Sequence, residues 1–177
     1  MSKPKLATVW LDGCSGCHMS ILDTDERLLD LAALVDIVYS PLVDAKVYPE
    51  DVDIALIEGS VSYDEDIERL HHFRSRTKTI IALGDCAVAG NVPTLRNPYS
   101  VEEVLNRAYI EKVTENKHIP VQMLPQMLPY VRPIHEIIPV DVFVQGCPPS
   151  ADTIFHVLTE LLAGRTPDLT KITRPGA

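Results

Sequence analysis

Four cysteines are the residues most able to do chemistry in this chain. They stand in Cys14-Ser15-Gly16-Cys17, Gly84-Asp85-Cys86-Ala87 and Gly146-Cys147-Pro148-Pro149, a C-x2-C-x68-C-x60-C spacing. Four thiolates brought to one point suit zinc or an iron–sulfur cluster, because soft sulfur ligands select those metals. Glycines at 13, 16, 84 and 146 let the backbone come close and turn sharply, so that amide N–H groups can face cluster sulfides and tune a reduction potential.

Other readings of the same residues leave something over. A thioredoxin-like dithiol uses Cys14 and Cys17 and leaves Cys86 and Cys147 idle. Cys14-Ser15-Gly16-Cys17-His18 also fits the haem c attachment pattern, but covalent haem goes with export, and neither an export signal nor a twin-Arg pair is read here. A structural zinc site usually has two close Cys/His pairs, and only one close pair exists. Four merely buried cysteines would have no reason to fall each beside glycine.

The elements that must position them follow from the hydrophobic pattern. Short β-rich runs at 6–11, 36–40, 53–58, 77–83 and 140–144 alternate with helical stretches at 16–34, 64–76 and 150–163. The first helical stretch breaks near 23–25, with Asp25 starting a fresh helix. This alternation predicts an α/β fold: an open parallel sheet with helices on both faces. Every cysteine then falls just past the carboxyl end of a predicted strand, the edge where such sheets bind ligands. Placement turns a weak spacing into a strong one.

Residues 91–139 break the rhythm, holding seven of the fourteen prolines and one helix, near 100–107, that opens with a Ser100/Glu103 capping box. This Pro-rich insertion before the last strand keeps Met123, Leu124, Met127, Leu128, Tyr130 and Val131, which favours a partner-facing docking surface over a loop packed on its own domain. The whole of 1–177 is expected to form a single domain.

A charge of −9 argues against a nucleic-acid binder, and no apolar run approaches the roughly 18–20 residues that span a bilayer. A cytoplasmic protein is expected, with no nucleic acid or membrane as partner.

The motifs Val9-Trp10-Leu11-Asp12-Gly13-Cys14-Ser15-Gly16-Cys17, Glu58-Gly59-Ser60, Gly84-Asp85-Cys86-Ala87 and Gly146-Cys147-Pro148-Pro149 closely resemble the small subunit of [NiFe] hydrogenases, in the same order and over about residues 5–165. The resemblance implies a flavodoxin-like fold. It implies that Cys14, Cys17, Cys86 and Cys147 bind one [4Fe–4S] cluster next to a nickel–iron site held by a large catalytic subunit. Without further cysteines or an export signal, the chain looks like the short form found in soluble, bidirectional NAD-reducing enzymes, where a diaphorase module with flavin, iron–sulfur clusters and NAD receives the electrons. The reaction so implied is H2 + NAD+ = NADH + H+, with this chain an electron relay that has neither the H2 site nor, lacking G-x-G-x-x-G, a nucleotide site. The related quinone-reductase subunit of complex I typically has adjacent cysteines at the first motif. It is the alternative, with a zinc-stabilised module as the alternative of another class.

The remaining candidates are read from position. Glu58 is either a solvated carboxylate or a residue at the cysteine edge, a candidate for the partner interface or a proton path. Trp10 is expected in the core. His18 either hydrogen-bonds beside the ligands or faces solvent, and His71 and His72 lie on a charged helix as solvated residues. A flavin on this sheet is disfavoured, because cysteine-bearing loops occupy the edge where its phosphate would sit.

Overall fold

A computed structural model describes residues 2–176 of the chain. The strands are β1 (Lys5–Trp10), β2 (Asp36–Tyr39), β3 (Val52–Glu58), β4 (Val61–Tyr63), β5 (Thr77–Leu83), β6 (Met127–Arg132) and β7 (Val142–Val144). Five of them form a sheet in the order β2-β1-β3-β5-β7, with every neighbouring pair parallel. Counting only these five along the chain gives 2-1-3-4-5, the flavodoxin-like doubly wound order.

Burial on both faces explains why the central strands read as continuous apolar runs. On one face Ala55 and Ile57 of β3 and Ile80 and Ala82 of β5 join Leu70 and Phe73. On the other, Ile54 and Leu56 of β3 and Ile81 and Leu83 of β5 meet Ile21, Leu31, Ile154, Val157 and Leu158. The helices follow that division. α1 (Gly16–Leu22), α2 (Arg27–Leu34) and α6 (Ala151–Leu162) cover the second face, and α3 (Asp64–Arg76) the first. The short α4 (Gly84–Ala89) follows β5 directly, and α5 (Val101–Asn106) lies in the Pro-rich stretch. Both expected caps form. The Ser100 hydroxyl accepts from the Glu103 N–H at 3.2 Å while the Glu103 carboxylate accepts from the Ser100 N–H at 2.8 Å, and Ser150 accepts from the Thr153 N–H at 3.2 Å.

Several boundaries differ from expectation, β1 running Lys5–Trp10 and β3 starting at Val52. The second helix begins at Arg27, since Asp25 has a left-handed φ of 52° and belongs to the turn. β2 closes at Tyr39, and β7 is confined to Val142–Val144, the part that pairs with β5.

The 91–139 stretch is more ordered than a loop. Its β6 pairs antiparallel with β4 as a separate two-stranded ribbon, which tolerates Pro129 because a two-stranded ribbon has an open edge. Asn97 braces it, donating to the Val131 carbonyl at 3.0 Å and accepting from the Val131 N–H at 2.8 Å. Ile134 and Ile138 enter the core. Within 123–131, Met123, Leu124 and Tyr130 are exposed, whereas Met127 and Leu128 are half-buried and Val131 is buried. No helix among the described residues is long and apolar enough to cross a membrane.

The core assignment is testable. Leu158→Ala, at a fully buried position, should cost about 2–5 kcal/mol in urea unfolding, while Leu29→Ala, on the exposed side of α2, should stay within about 0.5 kcal/mol. Equal costs would overturn the packing described for this face.

Candidate metal centre

Cys14 and Cys147 lie on the loops that leave the carboxyl ends of β1 and β7, Cys17 lies in the first turn of α1 and Cys86 in α4 directly after β5, and the four meet at one edge of the sheet. Cys14 and Cys147 are exposed, Cys86 is half-buried and Cys17 is buried, so the group of thiols runs from the surface inward. Their closeness is written into Gly84, which has a φ of 81°: a Cβ there would lie 2.2 Å from the Cys17 sulfur. Only glycine leaves room for that thiol.

Cross-loop bonds fix the arrangement. The Asp85 N–H donates to the Gly146 carbonyl at 2.9 Å, and the Gly146 N–H returns a bond to the Asp85 carboxylate at 2.8 Å. The loops bearing Cys86 and Cys147 are thereby clasped to each other. The same carboxylate accepts from the Gly176 N–H at 2.6 Å. α1 is tied to the third loop by the Ser20 hydroxyl, which donates to the Pro149 carbonyl.

The start of α1 is held from outside the helix. Its N-cap residue, Ser15, is left-handed and offers no side-chain cap. Instead the Cys17 and His18 N–H groups donate to the Glu58 carboxylate at 3.3 and 2.9 Å, and the Gly16 N–H points at the Cys14 sulfur at 3.4 Å. The first orphan amides of the helix are thus satisfied by a strand-end carboxylate 40 residues on and by a thiol. The His18 Nδ1 also meets Glu58, and its Nε2 lies 3.0 Å from the Thr8 hydroxyl, which donates to Ser40 at 2.7 Å. Glu58 is 2% exposed and His18 1%, so neither faces solvent.

Burial pushes the Cys17 thiol up, helped by the negative charge of Glu58 and of the other three cysteines; burial likewise raises Cys86. A buried thiol with a raised pKa is the opposite of a dithiol nucleophile. With both imidazole nitrogens engaged, His18 has none left for an axial haem position. Among the described residues no three Cys, His, Asp or Glu side chains gather tightly enough for a single metal ion. A cubane of irons and sulfides is wider than one ion, and its positive irons would offset the mutual repulsion of these thiolates. Four soft thiolates are a donor set that such a cluster takes.

The four cysteines follow strand ends as the sequence predicts, but Trp10 does not lie where it was expected. It is 44% exposed, at the end of β1, with its indole N–H donating to the Gly13 carbonyl at 3.3 Å rather than sitting in the core. His71 and His72 are exposed on α3 as expected. The Glu58–His18 pair and the Asp85 clasp went unseen. Asp85 had only its adjacency to Cys86 as a signal, and nothing local marks Glu58 as the partner of His18.

Residues 14–161 match a family model described as NADH ubiquinone oxidoreductase, 20 Kd subunit, and the chain belongs to that family. Its relatives include hydrogenase subunits. The chain is 42% identical over 172 residues to the NAD-reducing hydrogenase HoxS subunit delta of Cupriavidus necator, covering 94% of this chain and 82% of that one. It is 42% identical over 171 residues to a vhu-type F420-non-reducing hydrogenase subunit of Methanocaldococcus jannaschii, covering 95% of this chain but only 59% of the relative. The fold superposes on a crystal structure of an NAD+-reducing [NiFe]-hydrogenase in the H2-reduced state with a TM-score of 0.93 and 42% identity, over 99% of each chain.

Glu58 should prove essential to the local fold. Glu58→Ala removes the acceptor of two helix N-terminal amides and of the His18 ring, and should cost about 2–5 kcal/mol in urea unfolding under reducing conditions. Glu58→Gln, which keeps one oxygen acceptor, should cost less. An unchanged midpoint in the alanine variant would contradict the capping role.

Proposed function

We propose that Cys14, Cys17, Cys86 and Cys147 hold one [4Fe–4S] cluster, and that the chain is the electron-relay subunit of an NAD-reducing [NiFe] hydrogenase. The observation that carries this reading is the meeting of four thiols at the carboxyl edge of one parallel sheet, with no other cysteine in the chain. When bound, the cluster supplies a one-electron couple, and four thiolates complete the ligand set of one cluster only. The partners are then a large subunit with the nickel–iron site and a diaphorase module with flavin and further clusters. The overall reaction is H2 + NAD+ = NADH + H+.

This chain's own residues position and insulate. Glu58 and Asp85 fix the loops, Cys17 and Gly84 close the inner corner, and Cys14 and Cys147 reach the surface. Trp10, Val92 and Leu95 are exposed apolar side chains close in sequence to the ligand loops, suited to burial under a large subunit. Among the residues of 123–131, Met123, Leu124 and Tyr130 take the partner-facing role. The proximity of Glu58 to Cys17 suits a proton path as well as the helix cap. The family description keeps a quinone-reducing, complex I-type role as the second reading.

Two measurements separate these. Serine at Cys86 or Cys147 should abolish iron and acid-labile sulfide content, because a hydroxyl replaces soft thiolate poorly; full content would remove that residue from the ligand set. A complex of this chain with its large subunit alone should reduce an artificial dye with H2 but not NAD+, and adding the diaphorase subunits should restore NAD+ reduction. Quinone reduction without hydrogen uptake would favour the second reading, and NAD+ reduction by the two-chain complex would overturn the relay role.

A further inference from the structure

The turn that follows α4 reaches one of the four thiols with a side-chain donor. α4 ends at Gly90, with a φ of 84°, where a Cβ would lie 2.2 Å from the Thr94 methyl carbon. Asn91 comes next with φ 33° and ψ −119°, a conformation that a residue other than glycine holds only when its surroundings impose it. Thr94 is what imposes it: its N–H donates to the Asn91 carbonyl at 3.2 Å and its hydroxyl donates to the same oxygen at 2.6 Å. In this pinned geometry the Asn91 side-chain amide donates to the Cys147 sulfur at 3.4 Å. This contact is not needed to satisfy the turn itself and is aimed at sulfur.

We infer that Asn91 is a potential-setting residue: its amide, held on the strained turn by Thr94, donates to the Cys147 thiolate and makes the cluster easier to reduce. This rests on the reading of the four cysteines as cluster ligands. The physical ground is electrostatic. A donor directed at a ligand sulfur stabilises the extra electron density of the reduced state more than the oxidised state, so hydrogen bonds to sulfur raise the potential. Only the difference in this donation between the two oxidation states shifts the couple.

The test uses the full chain, isolated with the subunits that accompany it, and two substitutions. Asn91→Gly removes the donor while permitting the positive φ, which separates loss of the hydrogen bond from backbone strain. Asn91→Asp keeps the shape and replaces the amide with a carboxylate. Both variants should retain wild-type iron and sulfide. Their midpoint potentials, read by EPR-monitored redox titration, should fall, with the glycine variant shifting the reduced-to-oxidised ratio by about tenfold (~59 mV for one electron) and the aspartate variant further. Wild-type potentials in both variants would overturn the inference. A shift in the aspartate variant alone would do so too, since it would be an effect of charge rather than of the donor. Loss of the cluster from either variant would also overturn it, by making Asn91 a structural support. A wild-type protein free of iron and sulfide would instead defeat the four-cysteine reading itself.

Discussion

The cysteine edge depends on one buried carboxylate. Glu58 ends β3 inside the protein, where an unpaired acid would be costly, and α1 begins beside it with amides that its own residues cannot satisfy. Each supplies what the other lacks. Because Cys17 and His18 carry two of those amides, the same contact that starts the helix also sets the depth of Cys17. The His18 ring, bridging Glu58 to Thr8 on β1, extends the contact across neighbouring strands. Removing the carboxylate would leave several buried donors without partners at once.

Around that anchor, the parallel sheet does the gathering. Strands that run the same way deliver their following loops to one edge, so residues far apart in sequence arrive together without any local signal. Fine positioning is then left to short backbone contacts. Asp85 and Gly146 clasp two loops, and Gly84 gives up its side chain so that the Cys17 sulfur can occupy that space. On the face covered by α3, Tyr39, Tyr48 and Phe73 pack against one another.

What could be read from the sequence divides along the same line. β5 and α3 were legible to the residue, because a dense apolar run bounded by glycine and a charged 3.6-period pattern are both local. The four cysteines were legible because each follows a legible strand. β4 and β6 were not: each is short, β6 contains Pro129, and their stability comes from pairing Val61 with Arg132 and Tyr63 with Met127 across a long stretch of chain. Trp10 was misread because an aromatic in a strand usually packs inward, whereas the last residue of β1 lies at the loop edge beyond the covering helices. Glu58 was noticed for its place, but its role depends on a partner 40 residues away that no periodicity announces.

The wide separation of the ligand loops has a mechanical meaning. Any group bonded to all four sulfurs closes loops of 68 and 60 residues, much as a pair of disulfides would. By the chain-entropy account each such closure restricts the unfolded chain by about 4 kcal/mol. Cys147 follows β7, a three-residue strand at the margin of the sheet, where few ladder bonds resist fraying. A bonded group would therefore act as a rivet, joining the weakest strand of the sheet to the two loops that start nearer its centre.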